Sequence, residues 1–423
     1  MKKLKYLLLL AILVSAVNLS AQNIIPDGFM RLDSFFVAAN RNQWVAGNTV
    51  LVLKDGKTVF DKTYGFRDRE ASAQLKSTDI FRLASMTKPI VTVAAMILIE
   101  RGKLKLDDEL WKFIPEFKDV QVLKSYDVKT NTWTSEPATP PITIRHLMSH
   151  TSGIGSGLED KVLGTLYVKN GFSALMFADS LLLGDAMKKL ANLPLAMQPG
   201  SRFNYGISTD VLGAVVEIAG GMPLDQFVSR NILVPLKMND TYFFQPASNK
   251  ERLVVLYGEF QSGKLTRIPQ GFQGYQINYP IIGPKKYLSG AGGMSGTIND
   301  YAQFLLMILN KGVLNGTRIL KPETIALMSK NQIGEVSLAN GNKFGLGFEV
   351  ESRQVPPRKA SVGKLSWGGA FNTTFWIDPK RNSIAIVMSQ VYPAIHQRDL
   401  YTGFEKLVNE ALDQKGKSKI SDK

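Results

Sequence analysis

Strand-forming sequence sits at both ends of this 423-residue chain and helix-forming sequence fills its middle, so a sheet has to be closed between the two termini. Near the start, Val45 to Leu53 and Thr58 to Tyr64 are β-rich runs around Lys54-Asp55-Gly56-Lys57, a hairpin signal. Strand character returns after Lys343, in Gly345 to Glu351, Thr373 to Ile377 and Ile384 to Gln390. The last two are joined by the turn Asp378-Pro379-Lys380-Arg381-Asn382. Helical patterns lie between: Met86 to Arg101, Ile144 to Ser149, Ser173 to Leu193, Thr209 to Ala219, Leu224 to Arg230 and Thr297 to Leu309. Helices at Asn23 to Asn40 and Phe404 to Leu412 bracket the whole. The economical arrangement is an α+β fold: an antiparallel sheet built from both termini, flanked by helices, with a helical domain inserted. Residues 22–84 and 290–412 form the discontinuous α/β part, and 85–289 the mainly helical part. Residues 413–423, with Lys415, Lys417, Lys419 and Lys423, read as a disordered basic tail.

The first residues read as an address. Lys2, Lys3 and Lys5 precede the apolar run Leu7 to Val17, and Ser20-Ala21 offers a small-residue cleavage site. That layout is the one expected of a signal peptide over residues 1–21, with the protein periplasmic or secreted; a retained N-terminal anchor is the alternative. The run is shorter than the roughly 20 residues of a membrane span, and no membrane span is expected after its removal. Cysteine is absent, which excludes disulfides, thiol nucleophiles and thiolate metal sites. Stability then rests on the core, and roughly 400 residues are ample for one. Three histidines, His146, His150 and His396, are too few to suggest a metal centre. The net charge of +15 falls to +12 without the three leader lysines, and no basic block alternates with aromatics as nucleic-acid binding requires.

Three short stretches carry chemistry. In Ser85-Met86-Thr87-Lys88, helical spacing places Lys88 on the face of Ser85, within reach of its oxygen. A serine hydroxyl is a weak nucleophile until a base takes its proton, and a helix N-terminus favours negative charge beside it. A plain helix N-cap serine is the competing reading. The same spacing recurs in Ser361-Val362-Gly363-Lys364, but among prolines and with no helix to follow. Second, Tyr205 lies in Phe203-Asn204-Tyr205-Gly206-Ile207, after Pro199-Gly200 and before a helix. A loop tyrosine packs its ring, or becomes a general base where cations favour the phenolate. Third, Trp367-Gly368-Gly369-Ala370 leads into a strand. Its glycines suit either a β-bulge or close backbone approach to a ligand.

Ser85-Met86-Thr87-Lys88-Pro89 with its apolar helix resembles the nucleophile motif of class C β-lactamases and their relatives, the DD-peptidases and β-lactamase-like carboxylesterases. The resemblance continues, in order, through Ile144 to Gly153, Pro199-Gly200 to Tyr205, Asp210 to Gly213 and Pro235 to Met238. It ends with Gly290 to Gly296, Trp367-Gly368-Gly369 and Trp376 to Pro379. It implies a β-lactamase/transpeptidase-like fold with the site in the cleft between the two parts. It further implies Ser85 as acylated nucleophile, Lys88 and Tyr205 sharing proton transfer, and the backbone N–H groups of Ser85 and Ala370 as oxyanion hole. No metal or organic cofactor is implied.

Two departures bear on the substrate. β-Lactamases and DD-peptidases carry an asparagine two residues after the tyrosine, where this chain has Ile207. They carry Lys-Thr-Gly or Lys-Ser-Gly where this chain has Trp367-Gly368-Gly369. Ile207, Trp367, Gly368 and Gly369 therefore suit a less polar acyl group, and the esterase branch is expected. A β-lactamase or DD-peptidase on the same residues, and a penicillin- or cell-wall-binding relative with slow deacylation, are the alternatives. The expected partner is a small ester or lactam, with 155–195 and 250–290 lining the cleft. Oligomeric state is left open, and His146 and His150 read as structural.

Overall fold

Antiparallel pairing between the first and last long strands does close the sheet across the termini. The computed structural model describes residues 27–156, 160–172, 180–272, 276–354, 356 and 360–418; the expected signal peptide lies outside them. Strands β1 (Gly47–Lys54), β2 (Lys57–Asp68) and β3 (Ala73–Gln74) come from the N-terminal part. Strands β4 (Lys343–Phe344), β5 (Glu349–Val350), β6 (Leu365–Gly369), β7 (Thr373–Asp378) and β8 (Ser383–Met388) come from the C-terminal part. Their order is β4-β5-β6-β7-β8-β1-β2-β3. β1 joins β8 in the register Thr49↔Met388 to Lys54↔Ser383.

Side-chain alternation explains why both faces are covered. On β1, Val50 and Val52 share one core with Ala385 and Val387 of β8. Helices α1 (Met30–Arg41) and α5 (Gln397–Ser418) close this face through Leu32, Phe36, Phe404 and Val408. Leu51 and Leu53 point into the opposite core with Ile384, Ile386 and Met388. There they meet α2 (Thr87–Glu100) and α4 (Ile298–Leu309). The intervening helix α3 (Ser208–Gly220) lies against α2. It ends at Gly221, whose φ of 67° suits the left-handed cap that glycine adopts without strain.

Several expected elements have different bounds. The middle segment holds two hairpins, Gln121–Asp127 with Thr132–Pro137 and Tyr257–Gln261 with Lys264–Arg267. In the first, only Val122 is buried and the rest is exposed or half-buried, so no apolar alternation marked it. A helix over Lys161–Lys169 also went unmarked. Of Ser173 to Leu193, Leu183–Leu190 is helical and 173–179 lies outside the described residues. Gly345 to Glu351 is only partly strand, because Gly347, with φ 83°, turns the chain between β4 and β5. Residues 413–418, expected to be disordered, continue α5. Asp413 is held there by Arg381 at 3.2 Å. Residues 419–423 lie outside the described residues.

Candidate active site

Ser85 stands in a single 3-10 turn, Ala84–Met86, immediately before α2. The turn is sharp: Ala84 has φ 46°, a left-handed conformation that costs a residue with a side chain about 1 kcal/mol or more. Surrounding bonds hold it. Leu83 N–H donates to Met294 O at 2.9 Å, Met294 N–H to Thr87 Oγ1 at 3.1 Å, and Tyr301 OH to Met86 O at 2.9 Å. The side chain of Ser85 is thereby presented rather than used as a cap, and α2 has no side-chain N-cap bond.

Lys88, the second residue of α2, is 4% exposed. Its Nζ donates to Ser85 Oγ at 3.2 Å and to Ala291 O at 2.7 Å. The Ala291 carbonyl is aimed by Asp210 on α3, which accepts from Ala291 N–H at 2.9 Å and from Ser289 Oγ at 2.8 Å. Burial pushes the Asp210 carboxyl up, opposed by those two bonds and by Lys88. Tyr205 reaches the same oxygen, its hydroxyl donating to Ser85 Oγ at 2.5 Å. Lys88 Nζ also lies 4.5 Å from the Tyr205 ring centroid. One hydroxyl oxygen thus contacts an amine and a phenol.

The Tyr205 loop is positioned by close backbone packing. Asn204 N–H donates to His150 O at 2.8 Å. A Cβ on Gly206 would meet the Gly155 carbonyl carbon at 2.4 Å, so only glycine allows the approach. The Tyr205 ring packs on His150 at 4.8 Å and Trp367 at 5.2 Å between centroids. His150 follows the helix Ile144–Met148 with φ 54°, so it does not share a helix face with His146. His146 instead completes a capping box with Thr143. The role of His150 as a packing surface for Tyr205 was not legible, since its ring neighbours Phe203, Tyr205, Phe344 and Trp367 come from three separate stretches.

His150 is 1% exposed, and its Nδ1 has no hydrogen-bond partner among the described residues. Burial, and secondarily the charge of Lys88, hold it well below its ordinary value of 6.5. In the unfolded chain this histidine takes a proton below pH 6.5, whereas in the fold it stays neutral. The unfolded state then binds more protons, and stability falls as pH drops below 6.5 towards the folded value. Between pH 7 and 5 the wild type should lose up to about 2 kcal/mol more than His150→Gln, read by urea denaturation. Parallel losses in the two proteins would refute this.

A cleft of about 480 Å³ joins Ser85 and Tyr205 to Trp367, Gly368, Gly369 and Ala370. Strand β6 presses on the serine turn: a Cβ on Gly369 would lie 2.4 Å from Leu83 O. Ala370 follows directly. Ile207 departs from expectation. It is 6% exposed, packs into the hydrophobic core at the start of α3 and is not a lining residue. Nor do 155–195 and 250–290 supply lining among the described residues. The remaining walls come from Asn340 to Trp376 and from α5. The second serine–lysine spacing is a buried brace. Lys364 pairs with Glu351 at 3.3 Å and with Glu405, while Ser361 accepts from Arg381 at 2.6 Å.

An antiparallel sheet under helices, with a serine turn opening onto a cleft at its strand β6, defines a serine hydrolase of the β-lactamase/transpeptidase-like class. The chain belongs to the beta-lactamase family, whose family model matches residues 32–408. It is 31% identical over 363 residues to esterase EstB of Burkholderia gladioli, covering 82% of this chain and 86% of that one. Among solved structures it resembles EstCE1, a hydrolase with promiscuous acyltransferase activity. That match has TM-score 0.75 and 27% identity, and covers 91% of this chain and 98% of that one. Simvastatin synthase LovD from Aspergillus terreus shares the fold, with TM-score 0.76, 22% identity, and 90% and 98% coverage.

Proposed function

We propose that this protein hydrolyses carboxylic esters through an acyl-enzyme on Ser85, with Lys88 and Tyr205 moving the proton. The observation that carries the reading is the convergence of Lys88 Nζ and the Tyr205 hydroxyl on Ser85 Oγ, at 3.2 and 2.5 Å. Ser85 Oγ attacks the ester carbonyl as its proton passes to this pair, and the tetrahedral intermediate collapses when the proton reaches the departing alkoxide. Water then attacks the acyl carbonyl as its proton passes to the pair; the acyl–Oγ bond breaks, the acid leaves and the proton returns to Ser85 Oγ. The backbone N–H groups of Ser85 and Ala370 are the oxyanion donors in this reading. The tight contact of Gly369 with Leu83 O supports it, because it sets the two segments side by side. Each such donor is worth roughly 3–4 kcal/mol in related acyl transfer.

Trp367 at the cleft supports an ester over a lactam, as does the engagement of Lys364 by two glutamates, which leaves no free ammonium there for a carboxylate. EstB is named an esterase, and EstCE1 a hydrolase with acyltransferase activity. An alcohol that replaces water in the second step gives acyl transfer from the same intermediate. The basic and apolar leader of residues 1–21 makes an exported enzyme part of the proposal.

Hydrolysis of p-nitrophenyl acetate and butyrate beside a chromogenic cephalosporin tests the reading. The butyrate ester should exceed the cephalosporin in kcat/KM by about a hundredfold, since each lost polar anchor costs a factor of ten or more. Comparable cephalosporin cleavage would show a β-lactamase instead.

A further inference from the structure

The wall of the cleft along β5 and β6 carries charged groups: Glu349, Lys364 and Glu405 line the same cleft as Ser85. Lys364 is shared between Glu405 and Glu351, and Glu349 takes no part in that pairing. It stands across the β5–β6 ladder from Ser366, half-buried on the lining. Its Oε1 accepts from Asn340 Nδ2 at 2.7 Å and Asn342 Nδ2 at 2.5 Å. Its Oε2 accepts no hydrogen bond among the described residues. Two amides therefore fix the carboxylate while one oxygen stays available. Trp367, Trp376 and Tyr401 add aromatic surface to the same lining. Arg353 donates to the Asn340 carbonyl at 2.9 Å and is not a lining residue.

We infer that Glu349 makes the enzyme choose esters by charge, favouring one with a cationic group at its far end and turning away one that ends in a carboxylate. The inference rests on the esterase reading and names its substrate class. A cation gains Coulomb attraction from the Glu349 carboxylate and stacks on an aromatic face. A carboxylate placed beside Glu349 gives up hydration and meets a like charge.

Two matched series test this at low ionic strength. In one, p-nitrophenyl esters carry butyrate, 4-(trimethylammonio)butyrate or glutarate. In the other, choline acetate is set against its neutral isostere 3,3-dimethylbutyl acetate. The cationic ester should exceed the glutarate ester, or choline acetate its isostere, by about tenfold in kcat/KM, carried mainly by KM. In Glu349→Gln, which keeps the oxygen held by the two asparagines, that gap should shrink to within about threefold. Equal rates across charge, or a preference unchanged in Glu349→Gln, would overturn the inference while leaving the esterase reading intact. Absence of Ser85-dependent turnover for the neutral esters would overturn both.

Discussion

Replacing Ser85 by alanine will reduce kcat/KM for p-nitrophenyl butyrate by about four to six orders of magnitude, the loss expected when an acylated nucleophile is removed. The size follows from the geometry. Lys88 and the Tyr205 hydroxyl both reach Ser85 Oγ, so without that oxygen neither has a nucleophile's proton to move. The fold should survive, because Ser85 makes no N-cap bond to α2 and the turn is held by Leu83, Met294, Thr87 and Tyr301. A thermal midpoint near that of the wild type, together with vanished activity, is the expected pair of results. Activity within tenfold of wild type would mean that another residue carries the acyl group.

Tyr205→Phe is the second large effect. The substitution removes one oxygen and leaves the ring that packs on His150 and Trp367. The loss should therefore fall on kcat, by about 10²–10⁴-fold, the range for a positioned proton-transfer group. KM should move little. Retention of kcat within about threefold would leave Lys88 as the sole proton acceptor and remove Tyr205 from the path.

The nucleophile was legible in the sequence for a local reason. Ser85 and Lys88 are three residues apart at the start of one buried helix, so spacing and context alone bring them together. The sheet was legible for a similar reason, since β1, β7 and β8 alternate between two cores. Tyr205 is 120 residues away from Ser85, and its placement depends on a glycine contact between Gly206 and Gly155 that no periodicity encodes. The resemblance to β-lactamases supplied it instead. The remaining lining was the least legible part. Asn340, Glu349 and the residues of α5 reach the cleft through strand register and helix docking, both set by long-range pairing. Ile207 was misplaced because a position in the chain does not say which way a side chain turns. At the start of α3 its apolar side chain buries into the core.

The most direct measurement is to trap the intermediate. The protein is mixed with p-nitrophenyl butyrate, quenched in acid within the burst and digested for mass spectrometry. The expected result is one butyryl group, found on the peptide that contains Ser85 and absent from Tyr205→Phe quenched at the same time. A butyryl group on any other residue, or a burst of p-nitrophenol with no covalent acyl group on the protein, would contradict the acyl-enzyme at Ser85.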